Sequence, residues 1–106
     1  MTVTLLGLSW DASSSYARGP ALAPMIIRSV LFSDASSPYS LSGKSASDII
    51  SAYDFAALPA TGDACRAAIS ERIAAAISAQ TNPLSLGGDH SVTYPILRAI
   101  KAAHGP

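Results

Sequence analysis

Pro83-Leu84-Ser85-Leu86-Gly87-Gly88-Asp89-His90-Ser91-Val92-Thr93-Tyr94-Pro95 is the stretch from which the chain's organisation can be worked out. A short apolar run of strand character meets two glycines, then Asp-His-Ser, then a helix carrying Ile96, Leu97 and Ile100 on one face. Gly87 and Gly88 lack a Cβ, so the backbone there can turn sharply or accept a close neighbour. Ser91 suits an N-cap, and Pro95 is tolerated only in the first turns of the helix. Open α/β sheets bind ligands at the carboxyl ends of strands, just ahead of the next helix. The stretch therefore presents one imidazole, His90, with the Asp89 carboxylate beside it, at the rim of a sheet. A lone histidine is more often a surface or hydrogen-bonded residue than a ligand. Its place after a strand and two glycines makes His90 a candidate metal donor.

Upstream, Thr61-Gly62-Asp63 caps a helix, with Asp63 near its positive end. Cys65, Ile69, Ile73 and Ile77 recur every fourth residue along it, with Ala68 and Ala76 beside them, a stripe fit to cover a sheet. Cys65 reads as a small buried hydrophobe. Asp48 to Phe55 is expected to form a strand, and the Ser/Pro/Gly-rich segment from Ser33 to Lys44 a surface loop. Thr2 to Leu8 reads as a first buried strand, followed by the polar loop Trp10-Asp11-Ala12-Ser13-Ser14-Ser15-Tyr16. Arg18-Gly19-Pro20 leads into a helix with Pro24 in its first turn. There Ile26, Ile27, Val30 and Leu31 form an apolar stripe and Arg28 falls off it as a structural arginine. His104 reads as an exposed helix-end histidine. Strand–helix alternation throughout predicts a parallel α/β layer structure with right-handed crossovers.

A chain of 106 residues fits one domain with a modest core. Hydrophobic residues make up 49% and charged ones 13%, which excludes a disordered polypeptide. Formal net charge is zero and the basic residues are scattered, so no nucleic-acid stripe is expected. One cysteine excludes an intrachain disulfide and leans towards a cytoplasmic setting. The start, Met1 to Leu8, lacks the features of a signal peptide, and no run reaches the length of a membrane span.

Leu86-Gly87-Gly88-Asp89-His90-Ser91-Val92-Thr93-Tyr94-Pro95 resembles the first signature of the ureohydrolases, the arginase and agmatinase family. A second resemblance lies near the start. Agmatinase-type members show a strand, an Asp-containing Ser-rich loop, then Gly-Pro-Ala-x-x-Pro-x-x-Ile-Arg. The matching residues are Asp11, Ser14, Ser15, Gly19, Pro20, Ala21, Pro24, Ile27 and Arg28. Relatives also carry Asp-x-Gly-Asp on their second strand, from which Asp54-Phe55-Ala56-Ala57 departs.

The resemblance implies a parallel-sheet α/β/α sandwich, of which residues 1–106 are the amino-terminal portion of a single domain. It implies hydrolysis of guanidino or amidine C–N bonds, often with release of urea, by two Mn²⁺ ions. Carried over, His90 ligates one ion, and Gly87, Gly88, Asp89 and Ser91 play supporting roles. A guanidinium carbon is a poor electrophile, and a metal pair about 3.5–4 Å apart supplies a hydroxide at neutral pH. The family's Asp-x-His-x-Asp and Asp-x-Asp motifs, which carry the other ligands, are absent here, so the chain is expected to bind Mn²⁺ weakly and to be inactive alone. The implied partners are a small guanidino substrate and, in an oligomer, identical subunits, with no nucleic acid and no membrane. Two other readings stand beside this one. One is a non-catalytic α/β module pairing through an open sheet edge. The other is a nucleotide binder using Gly87-Gly88, which lacks the Gly-x-Gly-x-x-Gly spacing.

Overall fold

The computed structural model describes residues 2–12, 18–33 and 39–105. Three parallel strands, β1 (Val3–Leu8), β2 (Ile50–Asp54) and β3 (Asn82–Gly87), form a sheet in the order β2-β1-β3. Four α-helices connect and follow them: α1 (Ala23–Leu31), α2 (Ala46–Ile49), α3 (Gly62–Ser78) and α4 (Thr93–His104). Short 3-10 turns precede α1 (Pro20–Leu22) and α4 (His90–Val92). β1 is central and buried from Thr4 to Leu8, which is why its sequence is a continuous apolar run rather than an alternating one. Val3 to Leu8 pair in unbroken register with Asn82 to Gly87. The β1–β2 ladder is irregular between Val3 and Thr4.

The two faces of β1 are covered by different helices. Leu6 and Leu8 point to one side and pack with Cys65, Ile69 and Ile73 of α3, and with Val92 and Ala99 around α4. The four-residue stripe of α3 is thus buried as its spacing predicts, with Ala76 added and Ile77 half-buried. Leu5 faces the opposite side, where α1 packs over β1 and β3. Helices therefore lie on both faces of a parallel sheet, as the sequence pattern implies.

Three local expectations are corrected. The second strand starts at Ile50, because 46–49 close into the short helix α2, with the Asp48 amide donating to the Ser45 carbonyl. The α1 stripe is not buried: Ile26, Ile27 and Val30 are exposed, Leu31 is half-buried, and Pro24 is the one buried residue of the helix. A three-stranded sheet is too narrow to cover that stripe. Arg28, half-buried, instead lays its guanidinium over the rings of Tyr53 and Phe55, 5.2 and 4.6 Å from their centroids. On α4, Leu97 is exposed and the small residue Ala99 packs inward in its place, with Ile96 and Ile100 half-buried.

Candidate functional site

The topology itself creates a crevice. From β1 the chain leaves towards α1 on one face, and from β3 it leaves towards α4 on the other. Adjacent strands whose connections diverge in this way leave an opening at their carboxyl ends, where open α/β sheets bind ligands. Trp10 and Asp11 follow β1 at that opening, and Gly88, Asp89 and His90 follow β3.

Backbone hydrogen bonds lace these two segments together. The Gly88 amide donates to the Leu8 carbonyl at 3.0 Å, and the Asp89 amide donates to the Trp10 carbonyl at 2.7 Å. Gly88 is a glycine for a steric reason: a Cβ there would lie 2.0 Å from the Trp10 carbonyl oxygen. A Cβ on Gly87 would meet Val92 at 3.1 Å, a tighter contact than ordinary packing.

Asp89, not Ser91, caps the following helical segment, which corrects the expected start of α4. Its backbone is extended, and its Oδ1 accepts from the Ser91 amide at 3.0 Å and from the Ser91 hydroxyl at 2.5 Å. The cap falls two residues early because a 3-10 turn, His90–Val92, precedes the α-helix proper. Asp89 is buried and His90 is exposed. The carboxylate is folded back under the turn while the imidazole is left at the rim. Pro95 stands in the first turn of α4, as expected.

The opposite wall is built by Asp11. Its Oδ2 accepts from the Gly19 amide at 2.7 Å and from the Ala21 amide at 3.4 Å, and Arg18 approaches its Oδ1 at 3.5 Å. The Gly19 bond above all, helped by Ala21 and Arg18 and opposed by partial desolvation, holds its carboxyl below the usual range. Ser14 and Ser15 of the early motif, with the rest of 13–17, lie outside the described residues. On the far side of β1, Arg72 donates to the Ala56 and Ala57 carbonyls, both at 2.8 Å, and lies 3.9 Å from the Asp54 carboxylate. Asp54 thus has an arginine partner. Burial pushes the Cys65 thiol up, in keeping with an inert core residue. His104 ends α4 in an exposed position.

Sequence reading missed the Asp11 clamp and the Arg72 fork. The first had a legible signal, a carboxylate eight residues ahead of a Gly-Pro helix start. The second had none, since sixteen residues separate Arg72 from Ala56.

Among the described residues no group of three or more His, Cys, Asp or Glu side chains comes together to hold an ion. His90 offers one nitrogen, and Oδ1 of Asp89 is committed to Ser91. These residues fit a single donor position and not a whole metal site. A recess of about 760 Å³ between α3 and α4, lined by Ala67, Ser70, Ala74, Ala99 and the rims of Arg66 and Arg98, contains none of residues 87–91. The strand-end crevice, not this recess, is the candidate site, because it is where the topology and the exposed imidazole coincide. No helix among the described residues is long and apolar enough to cross a membrane.

Comparisons with known proteins agree with this geometry. The family model described as Arginase family matches residues 1–106. Arginase 2, chloroplastic/mitochondrial, of Arabidopsis thaliana is 29% identical over 113 residues, covering 98% of this chain and 33% of that protein. The mitochondrial guanidino acid hydrolase of Homo sapiens is 50% identical over 44 residues, covering 42% of this chain and 12% of its own. A crystal structure of a hypothetical agmatinase from Burkholderia thailandensis superposes with a TM-score of 0.84 at 25% identity, over 98% of this chain and 34% of that one. The chain spans about a third of the length of the full relatives it matches end to end.

Proposed function

Because this chain belongs to the arginase family, we propose that residues 1–106 are the amino-terminal portion of a single hydrolase domain. That domain cleaves guanidino or related amidine C–N bonds and releases urea with the help of Mn²⁺. His90 supplies one nitrogen donor, and the remaining ligands come from outside these residues. The observation that carries this reading is the exposure of His90 at the β1/β3 crevice, on a turn fixed by the buried Asp89 cap. Gly88 allows the two strand ends to approach, Gly87 leaves room for Val92 in the turn, and Ser91 locks the Asp89 carboxylate so that it supports that turn. Among substrates, agmatine is taken as the first to test, because the Gly19-Pro20-Ala21 and Pro24 pattern of the early segment resembles agmatinase-type members. A reducing, cytoplasmic setting belongs to the same reading and rests on the single buried cysteine.

By this account the isolated residues are inactive, since one imidazole cannot hold a metal pair. The test is to read the encoding DNA beyond Pro106 and to assay the polypeptide carried to its natural stop codon. An Asp-x-His-x-Asp sequence within about thirty residues is expected, because the family resemblance puts that motif at the end of the next strand, on the same rim. Manganese-dependent urea release from agmatine is expected with it. A stop codon at once, and no urea at any manganese concentration, refutes the reading.

A second reading, an interaction module that pairs with a full-length relative, is favoured by a specific observation. β2 and β3 both leave an edge unpaired among the described residues. Co-purification with a full-length relative, without urea release of its own, supports it over the first.

A further inference from the structure

Asp11 lies at a junction of three segments. Through Oδ2 it draws in the amides of Gly19 and Ala21, which open the 3-10 turn leading into α1. Its neighbour Trp10 gives its carbonyl to the Asp89 amide at 2.7 Å, one residue from His90. The same carbonyl oxygen faces Gly88 too closely to admit a Cβ. Any shift of the Trp10–Asp11 backbone is therefore felt at the turn that carries His90. The Trp10 amide also donates to the Leu8 carbonyl, so the turn after β1 has little freedom to absorb a displacement.

We infer that Asp11 is a positioning residue: its carboxylate clamps the segment after β1 to the start of α1, and through the Trp10 carbonyl it fixes the rim on which His90 stands. The clamp acts by hydrogen-bond acceptance rather than by charge pairing. Arg18 is largely exposed and lies at 3.5 Å, whereas the Gly19 amide is at 2.7 Å. An asparagine oxygen can accept the same two amides, and an alanine cannot. Its kinetic consequence rests on the hydrolase reading; its structural consequence does not.

The experiment compares Asp11→Ala and Asp11→Asn with the unchanged polypeptide, each carried to its natural stop codon. Amide exchange is measured at Gly19, Ala21 and Asp89, alongside kcat and KM for agmatine. In Asp11→Ala, exchange at all three amides is expected to accelerate about tenfold or more, the loss of a charge-assisted acceptor. KM is expected to rise about fivefold with kcat held within about twofold, the signature of lost positioning rather than lost chemistry. Asp11→Asn is expected to restore most of both. If Asp89 exchange and KM stay unchanged in folded Asp11→Ala, the clamp is a local turn and the inference fails. An asparagine variant as impaired as alanine also overturns it. Should neither variant fold, the unchanged protein still decides, because unprotected Gly19 and Asp89 amides would exclude the clamp. Absence of urea from the unchanged protein would sink the hydrolase reading alone, while the exchange rates still test Asp11.

Discussion

Asp11 carries a pH signature that belongs to one carboxylate. Its folded-state value lies below the ordinary 3.8, chiefly through the Gly19 amide. A carboxyl depressed by folding contributes stability that is present above its unfolded value and is lost as pH falls through the folded one. The clamp is therefore expected to be intact at neutral pH and to loosen only in acid, below about pH 4. Exchange at the Gly19 amide, followed on acidification and corrected for intrinsic rates, checks this; loosening between pH 5 and 7 would point to a different group. Gly88 and Gly7 make a second contrast between single atoms. A Cβ on Gly88 meets backbone, whereas one on Gly7 meets the Phe55 side chain. Gly88→Ala is expected to destabilise by about 3 kcal/mol, the upper end of overpacking costs, and Gly7→Ala by less. Denaturant midpoints of the two variants give the comparison. Arg72→Ala removes two carbonyl bonds and is expected to cost about 2 kcal/mol, with Arg72→Lys a poor rescue because an ammonium lacks the planar fork.

At the scale of elements, legibility followed burial. β1 and the α3 stripe are visible in the sequence because each faces the core, so hydrophobic spacing reports directly on packing, whereas β3, half-buried or exposed along its length, is marked by the glycines that end it. The stripe of α1 misled for the same reason in reverse. Ile26, Ile27 and Val30 have the periodicity of a buried face, but the described sheet is only three strands wide. Local chemistry was harder to place than hydrophobic pattern. Ser91 and Asp89 are both good caps, and the choice between them depended on a 3-10 turn that spacing does not announce. The strand-end position of His90 was legible because the glycines and the helix signal bracket it. The partners that hold its turn, Trp10 and Asp11, were not, since their bonds to residues 19, 21 and 89 form only when distant segments meet.

The described residues leave many large apolar side chains open to solvent. Leu22, Met25, Ile26 and Val30 on one side and Leu84, Tyr94 and Leu97 elsewhere are all about half exposed or more. The isolated 106-residue chain is therefore expected to self-associate or to melt without sharp cooperativity, and to bind a hydrophobic dye strongly. The polypeptide carried to its natural stop codon is expected to lose that dye binding as its remaining segments cover α1. Light scattering and a thermal melt of both forms test this, and a sharp, monomeric transition of the short chain would refute it. On the reading proposed above, the crevice carries one imidazole and its chemistry is completed by residues outside 1–106. The decisive measurement is manganese-dependent urea release from agmatine by the polypeptide read to its natural stop codon, with His90→Ala beside it. Activity that needs manganese and falls by about a hundredfold or more in the folded variant is the expected result, since losing even an outer-shell partner of a metal ligand costs roughly ten- to a hundredfold. Full activity in His90→Ala would contradict the account.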